Sequence, residues 1–366
     1  MEILIFIVVI VALIVVHEFG HLIAAKLLGM RVDEFGLGYP PRAMIIGKIG
    51  ETAYTLNWLP FGGFVKIYGE DGLTLDHARD ARAFSSRPRL AQAAVLIAGI
   101  AMNLLFAYVL ITGALVAGTP RALTPTELAT ATNVTLAVAN VLPGSPAARA
   151  GLLPGDTILS AEDAMGKWRV TDTKSFSAFV AASDGDPIVL ELMRNGKEVT
   201  ATATAASGVV SSDMARLALG VEVFTVGVVA LSPGAALLEG SRLTWDTTVL
   251  TAKGLGHFFS GILTFSADLS QVAGPVGIAG VVGTASSQGW GDLFSIMAII
   301  SINLALINLI PVPALDGGRL LFVIIESIIR RPIKPSVSQA MNAIGFVFLI
   351  LLMLVVTAND IFRIVG

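Results

Sequence analysis

Four long apolar runs set the terms on which this chain can fold: residues 3–28, 92–117, 293–310 and 340–357. A helix crossing a bilayer needs about 20 mainly apolar residues. In lipid only helices and closed barrels pair all of their backbone groups. Composition agrees, with 54% hydrophobic residues and 14% Asp, Glu, Lys or Arg, against about 25% charged in ordinary soluble domains. A disordered chain is thereby excluded and a fully soluble enzyme disfavoured. The net charge of -3 offers no broad basic field, so no nucleic acid is expected as a partner. Without cysteine there is no disulfide scaffold, no Cys-ligated zinc and no thiol nucleophile. An imidazole metal site must draw on His17, His21, His77 or His257.

The first run carries His17-Glu18-Phe19-Gly20-His21, an H-E-x-x-H pattern. Residues i and i+4 share a helix face, so both imidazoles can reach one zinc ion while the glutamate stands beside a coordinated water. Zinc lowers the pKa of such a water to about 7, and the glutamate takes its proton. Each ionisable group in an apolar helix costs about 2.5 kcal/mol or more. A metal site compensates three of them in five residues; a polar cluster lining an ion path is the competing reading. A cleaved signal peptide is the competing reading of the run as a whole, against which stands its Met-Glu start without a basic region.

Lys and Arg placement orients the spans. Lys26, Arg31, Arg42, Lys48, Lys66, Arg79, Arg82, Arg87 and Arg89 follow the first span, and Arg319, Arg330, Arg331 and Lys334 follow the third. Both loops are expected in the cytoplasm. Both termini and the middle region, 118–230, are then extracytoplasmic. His21 lies five residues before Lys26, which puts the H-E-x-x-H residues in the cytoplasmic half of the bilayer. Residues 243–265 are apolar but interrupted by Lys253, Gly254, Gly256 and His257. They are expected to form an amphipathic helix on the membrane surface, within a helix-and-loop segment 231–290.

A catalytic zinc site usually takes three protein ligands. Asp316 is the best third candidate, following Asn308-Leu309-Ile310-Pro311-Val312-Pro313-Ala314-Leu315 and preceding Gly317-Gly318. Pro311 and Pro313 end the third span in extended backbone, and the glycines permit a close approach. A helix N-cap is the other reading of Asp316, and spacing alone does not decide between them.

Together these motifs resemble the site-2 protease family of intramembrane zinc metalloproteases, and within it the bacterial RseP/RasP branch. H-E-F-G-H stands at 17–21, N-x-x-P-x-x-x-L-D-G at 308–317, P-x-G-G-[FY]-V-K at 60–66 and G-P-V-G-I at 274–278. The resemblance implies zinc (Zn2+) on His17, His21 and Asp316, with Glu18 as the base. It departs at Ala98-Gly99-Ile100-Ala101-Met102-Asn103, where the family usually has proline in place of Ile100. Asn103 has two readings, a hydrogen bond near the site or simple interhelical packing. Implied substrates are transmembrane segments of single-span proteins, such as anti-sigma factors and signal-peptide remnants, already trimmed outside by a site-1 protease. The implied location is the bacterial inner or plasma membrane.

Cutting a helix in lipid requires unwinding it into an extended strand. Tyr54-Thr55-Leu56-Asn57-Trp58-Leu59, followed by Pro60, Gly62 and Gly63, reads as strand and turn. In the resembling family this belongs to a membrane-re-entrant β-hairpin, expected here at 43–68. Its edge would pair with the unwound substrate, making Asn57, Gly62 and Gly63 candidate substrate contacts. Asn308 is a fourth. A plain surface hairpin and a helix cap are the respective alternatives.

Residues 140–159, with Gly144-Ser145-Pro146-Ala147-Ala148 and Gly151-Leu152-Leu153-Pro154-Gly155-Asp156, read as loop, short helix and turn into a strand. They resemble the PDZ domains of bacterial proteases, placing one such domain at 137–206. A second helix is expected at 176–182, and a hairpin at 188–194 and 198–203 around Asn195-Gly196. The domain would bind a new C-terminus, exclude bulky substrates, or act as a spacer. His77 reads as a solvated surface residue and His257 as interfacial. The expected fold is thus a polytopic α-helical membrane protein with about four transmembrane helices, a membrane-associated β-hairpin and one inserted extracytoplasmic α+β PDZ domain. The membrane core is expected in two halves, 1–117 and 291–366. A transporter built on the same buried His and Glu, and an inert scaffold, are the rival functions. The first would not need Glu18 between two ligands, and the intact Glu18 argues against the second.

Overall fold

The computed structural model describes residues 2–70, 80–124, 127–128, 131–164, 166–169, 172–194, 196–209, 216–264, 273–331 and 333–365. His77 and Asn195 lie outside the described residues. The chain forms two compact units, one of Met1–Val116 with Ser232–Gly366, the other of Ala117–Leu231.

In the first unit, four helices are long and apolar enough to cross a membrane. They are α1 (Glu2–Leu27), α2 (Arg89–Ala117), α7 (Trp290–Leu309) and α9 (Pro335–Val365). The protein is therefore a polytopic membrane protein. Lipid tails are as apolar as leucine, so close packing and hydrogen bonds have to join such helices. Gly20 of α1 and Gly99 of α2 supply the close packing, since a Cβ on Gly20 would stand 2.4 Å from the Ala98 carbonyl oxygen. Ser301 Oγ in α7 donates to the Asn103 carbonyl of α2 at 2.8 Å. Helix α2 runs unbroken through Ile100, where the family's proline would sit.

Strands β1 (Val32–Ile49) and β2 (Thr52–Ile67) follow α1. The hairpin begins eleven residues before the expected position 43, because β1 pairs twice. Its second half pairs with the start of β2, from Ile49↔Thr52 to Arg42↔Asn57. Its first half pairs with the end of β2, Leu37↔Gly63 through Val32↔Ile67, while Phe35 also lies beside Tyr54. Buried Phe35, Val32 and Ile67 join Leu22 and Ala25 of α1 and Val95 and Leu96 of α2 in one apolar cluster. The outer edge of the Gly63–Ile67 stretch has no strand beside it among the described residues.

The expected surface helix and loop differ from what forms. One helix, α5 (Pro233–Leu263), starts ten residues before position 243. Ser232 caps it by accepting from Ala235 N–H, and Pro233 pre-sets its first turn. After it comes α6 (Pro275–Gln288), where the sequence reads as loop. Its glycines weaken intrinsic helicity, but packing offsets this. Val282 of α6 is buried with Val9 and Leu13 of α1. Asp360 of α9 accepts Gly277 N–H at 2.8 Å. A short helix, α8 (Asp316–Ile329), follows α7.

The second unit is a seven-stranded sheet in the order β3 (Thr119–Ala122), β9 (Val221–Val229), β4 (Thr132–Val141), β5 (Thr157–Asp163), β7 (Pro187–Arg194), β8 (Lys197–Thr204), with β6 (Gly166–Arg169) on β5. Helices α3 (Pro146–Arg149) and α4 (Thr173–Ala182) cover it. Ser145 caps α3 by accepting from Ala148 N–H. Arg194 donates twice to Asp156, at 2.6 Å each, holding that carboxyl below the usual range. The unit outruns residues 137–206 at both ends, since β9 pairs with both β3 and β4. A groove of about 530 Å³ lies between α4, at Phe176 and Val180, and residues 216–223.

Candidate metal centre

Two histidines one helical turn apart and an aspartate some 295 residues further on converge beside α2. His17 Nε2 stands 2.8 Å from Asp316 Oδ2, His21 Nε2 stands 3.2 Å from the same oxygen, and the two Nε2 atoms are 3.1 Å apart. Both histidines are buried. Among the described residues, this is the one group of three His, Asp or Glu placed to hold a metal ion.

Helix α1 puts the two imidazoles on one face. The turn after α7 delivers Asp316. Ile310 leaves the helix in extended backbone, and Leu315 occupies the N-cap position of α8 without a side-chain cap. Asp316 is thus the first residue of α8, and its carboxylate meets the histidines instead of capping the helix. Gly317 and Gly318 permit this fold-back, because Cβ atoms there would stand 2.4 Å from the Leu309 oxygen and 2.3 Å from the Val312 oxygen. Two ion pairs hold α8, Arg319 to Glu70 at 2.5 Å and Arg89 to Glu326 at 2.7 Å.

His21 Nδ1 donates to the Val95 carbonyl at 2.8 Å, which fixes its tautomer. The Nε2 lone pair then faces His17 and Asp316. Glu18 sits on the same helix between them, and its Oε2 accepts the backbone N–H of Val65 at 3.0 Å. Asn308 Nδ2 lies 3.4 Å from His17 Nε2. A Cβ on Gly62 would touch Ile14, and one on Gly63 would lie 3.8 Å from Glu18 Cγ, so both glycines run along α1 at the site. Asn57 is buried in the hairpin, with Nδ2 donating to the Gly38 carbonyl at 3.1 Å.

The residue pattern gave no sign of Val65 or Val95, because both act through backbone atoms. Gly20 carried a weak sign, as a small residue inside the H-E-F-G-H run.

The model of peptidase family M50 matches residues 5–352. The chain belongs to that family. A protein of Clostridium perfringens provisionally named a zinc metalloprotease is 34% identical over 351 residues, covering 96% of this chain and 95% of its own. A Nostoc protein similarly named is 31% identical, covering 96% and 93%. The zinc metalloprotease RasP of Shouchella clausii is 28% identical, covering 97% of each.

As an M50 member the protein is a membrane metalloprotease whose cofactor is zinc. Its residues fit that ion. Three donors placed tetrahedrally at zinc bonds of about 2.0–2.1 Å lie about 3.3 Å apart, near the 2.8–3.2 Å separations here. Two imidazoles and one carboxylate are also a donor set found in catalytic zinc sites, which keep a fourth position open.

Proposed function

We propose that the protein is an intramembrane endopeptidase of the site-2 type, with His17, His21 and Asp316 holding zinc and Glu18 as general base. The observation that carries this is the convergence of three donor atoms within 3.2 Å of one another, with Glu18 beside them and held by Val65 N–H of the hairpin. Zinc bound there would acidify a water to a pKa of about 7 and polarise the scissile carbonyl. Glu18 takes the proton from the attacking water and passes it to the leaving amine. Val65 N–H aims the carboxylate. The edge at Gly63–Ile67 receives the unwound substrate by strand addition, with Gly62 and Gly63 keeping the approach to α1 clear. Asn308 stands ready to donate to a substrate carbonyl.

The substrate class is the transmembrane segment of a single-span protein, an anti-sigma factor or signal-peptide remnant, presented after a site-1 cut. The Lys and Arg pattern supports a cytoplasmic side for the loops after α1 and α7, and an outer side for both termini and the inserted unit. The protein would sit in the bacterial inner or plasma membrane, with the site toward the cytoplasm. A PDZ reading of the inserted unit is supported by its groove between α4 and residues 216–223.

The test is cleavage of a tagged, externally truncated anti-sigma factor by the purified full chain in detergent, wild type beside Glu18→Gln, with zinc measured in both. Glu18→Gln should lower turnover by about 10²- to 10⁴-fold while zinc stays bound. Near-normal turnover would remove Glu18 from the base role.

A further inference from the structure

His17 uses Nε2 toward Asp316 and His21, so its ring is steered from the other nitrogen. The neighbour of Nδ1 is Asn103 of α2, whose side-chain amide lies 3.3 Å away. Asn103 is fully buried, and its Oδ1 has no hydrogen-bond partner. A buried amide oxygen without a partner is destabilising and calls for an explanation. Two alternatives for Asn103, packing or polar contact, therefore make different demands. Packing alone would be met by an apolar residue of similar size, with no stranded oxygen.

A neutral imidazole carries one N–H, on either nitrogen. Without metal, Nε2–H of His17 donates to Asp316, and Nδ1 accepts from Asn103 Nδ2, the contact seen at 3.3 Å. With metal, Nε2 must offer its lone pair, so the proton moves to Nδ1 and needs an acceptor. A half-turn of the Asn103 amide brings the unpartnered Oδ1 to that place. Ligating histidines generally rely on such a partner, whose removal costs about 10- to 100-fold in metal affinity or activity. An uncharged amide serves both proton positions. It also adds no third negative charge beside Asp316 and Glu18.

We propose that Asn103 is a positioning residue for His17, turning its side-chain amide to accept Nδ1–H when zinc occupies the site. This rests on the zinc site proposed above. The test is zinc affinity of the purified full chain in detergent, by competition with a chelating indicator, for wild type, Asn103→Leu, Asn103→Asp and His17→Ala. Thermal unfolding of each variant checks that it is folded. Asn103→Leu keeps the volume but accepts nothing, and should weaken zinc by about 10- to 100-fold. Asn103→Asp restores an acceptor and should bind zinc more tightly than Asn103→Leu. The reverse order, with Asn103→Leu like wild type and Asn103→Asp impaired, would make Asn103 a packing residue and overturn the proposal. Zinc retained at full affinity by His17→Ala would overturn the underlying site, a separate outcome.

Discussion

At Gly99 a Cβ would stand 2.4 Å from His21 Nε2 and 2.9 Å from His17 Cε1. Real Cβ contacts essentially never come that close, so one of the imidazoles has to move. Metal sites tolerate ligand displacements of only about 0.2 Å. Gly99→Ala should therefore lose most of its zinc while the helices still assemble. Gly113→Ala, lower on the same helix, is the control. Its Cβ would meet Phe294 at an ordinary 3.5 Å, and zinc content should not change. Elemental analysis of the two purified proteins decides the point. Equal zinc in both would mean that α2 can withdraw from α1 without disturbing the ligands.

The hairpin carries its argument as an element. Glu18 is a helix residue, but the donor that aims it is Val65 N–H, on the outer edge of β2. Val65 sits opposite Phe35 of β1, and the partner of its N–H is Glu18 Oε2 on α1. Proline is tolerated on such an edge. Val65→Pro should keep zinc and lower turnover by about 10- to 100-fold, matching the 1.5–3 kcal/mol of a hydrogen bond to a charged group. Val65→Ala keeps the N–H and should retain activity. Comparable activity in the two variants would show that Glu18 needs no help from the strand. This dependence was not legible in the sequence, which shows side chains and hides backbone donors. The four spans were legible, since apolar length alone specifies them. The neighbourhood of His17, His21 and Asp316 was legible only in part: helical spacing joined the histidines, but Asp316 kept an N-cap reading until the turn after α7 was seen. Helix α6 was missed for a different reason. Its Gly, Thr and Ser residues are poor helix formers, and its helicity depends on Val282 burying against α1 and Asp360 reaching Gly277.

For the whole molecule the question is what the inserted unit adds to a membrane enzyme. Its two ends are neighbours, because Thr119 of β3 pairs with Val229 of β9. Paired strand residues lie about 4.5–5.5 Å apart, so a linker of about six Gly and Ser residues, reaching about 13 Å, spans the gap. Replacing residues 118–230 with that linker removes a complete sheet. Deleting only 137–206, the boundaries read from the sequence, would leave β3 and β9 behind with exposed edges and should aggregate. The linker variant should keep its zinc and cut an externally truncated substrate as wild type does. If the unit selects substrates by bulk or by their new C-terminus, wild type should refuse the untruncated substrate and the linker variant should cut it. Continued refusal by a zinc-loaded linker variant would remove the unit from selection. Loss of zinc in a folded variant would make the unit a support for the membrane core.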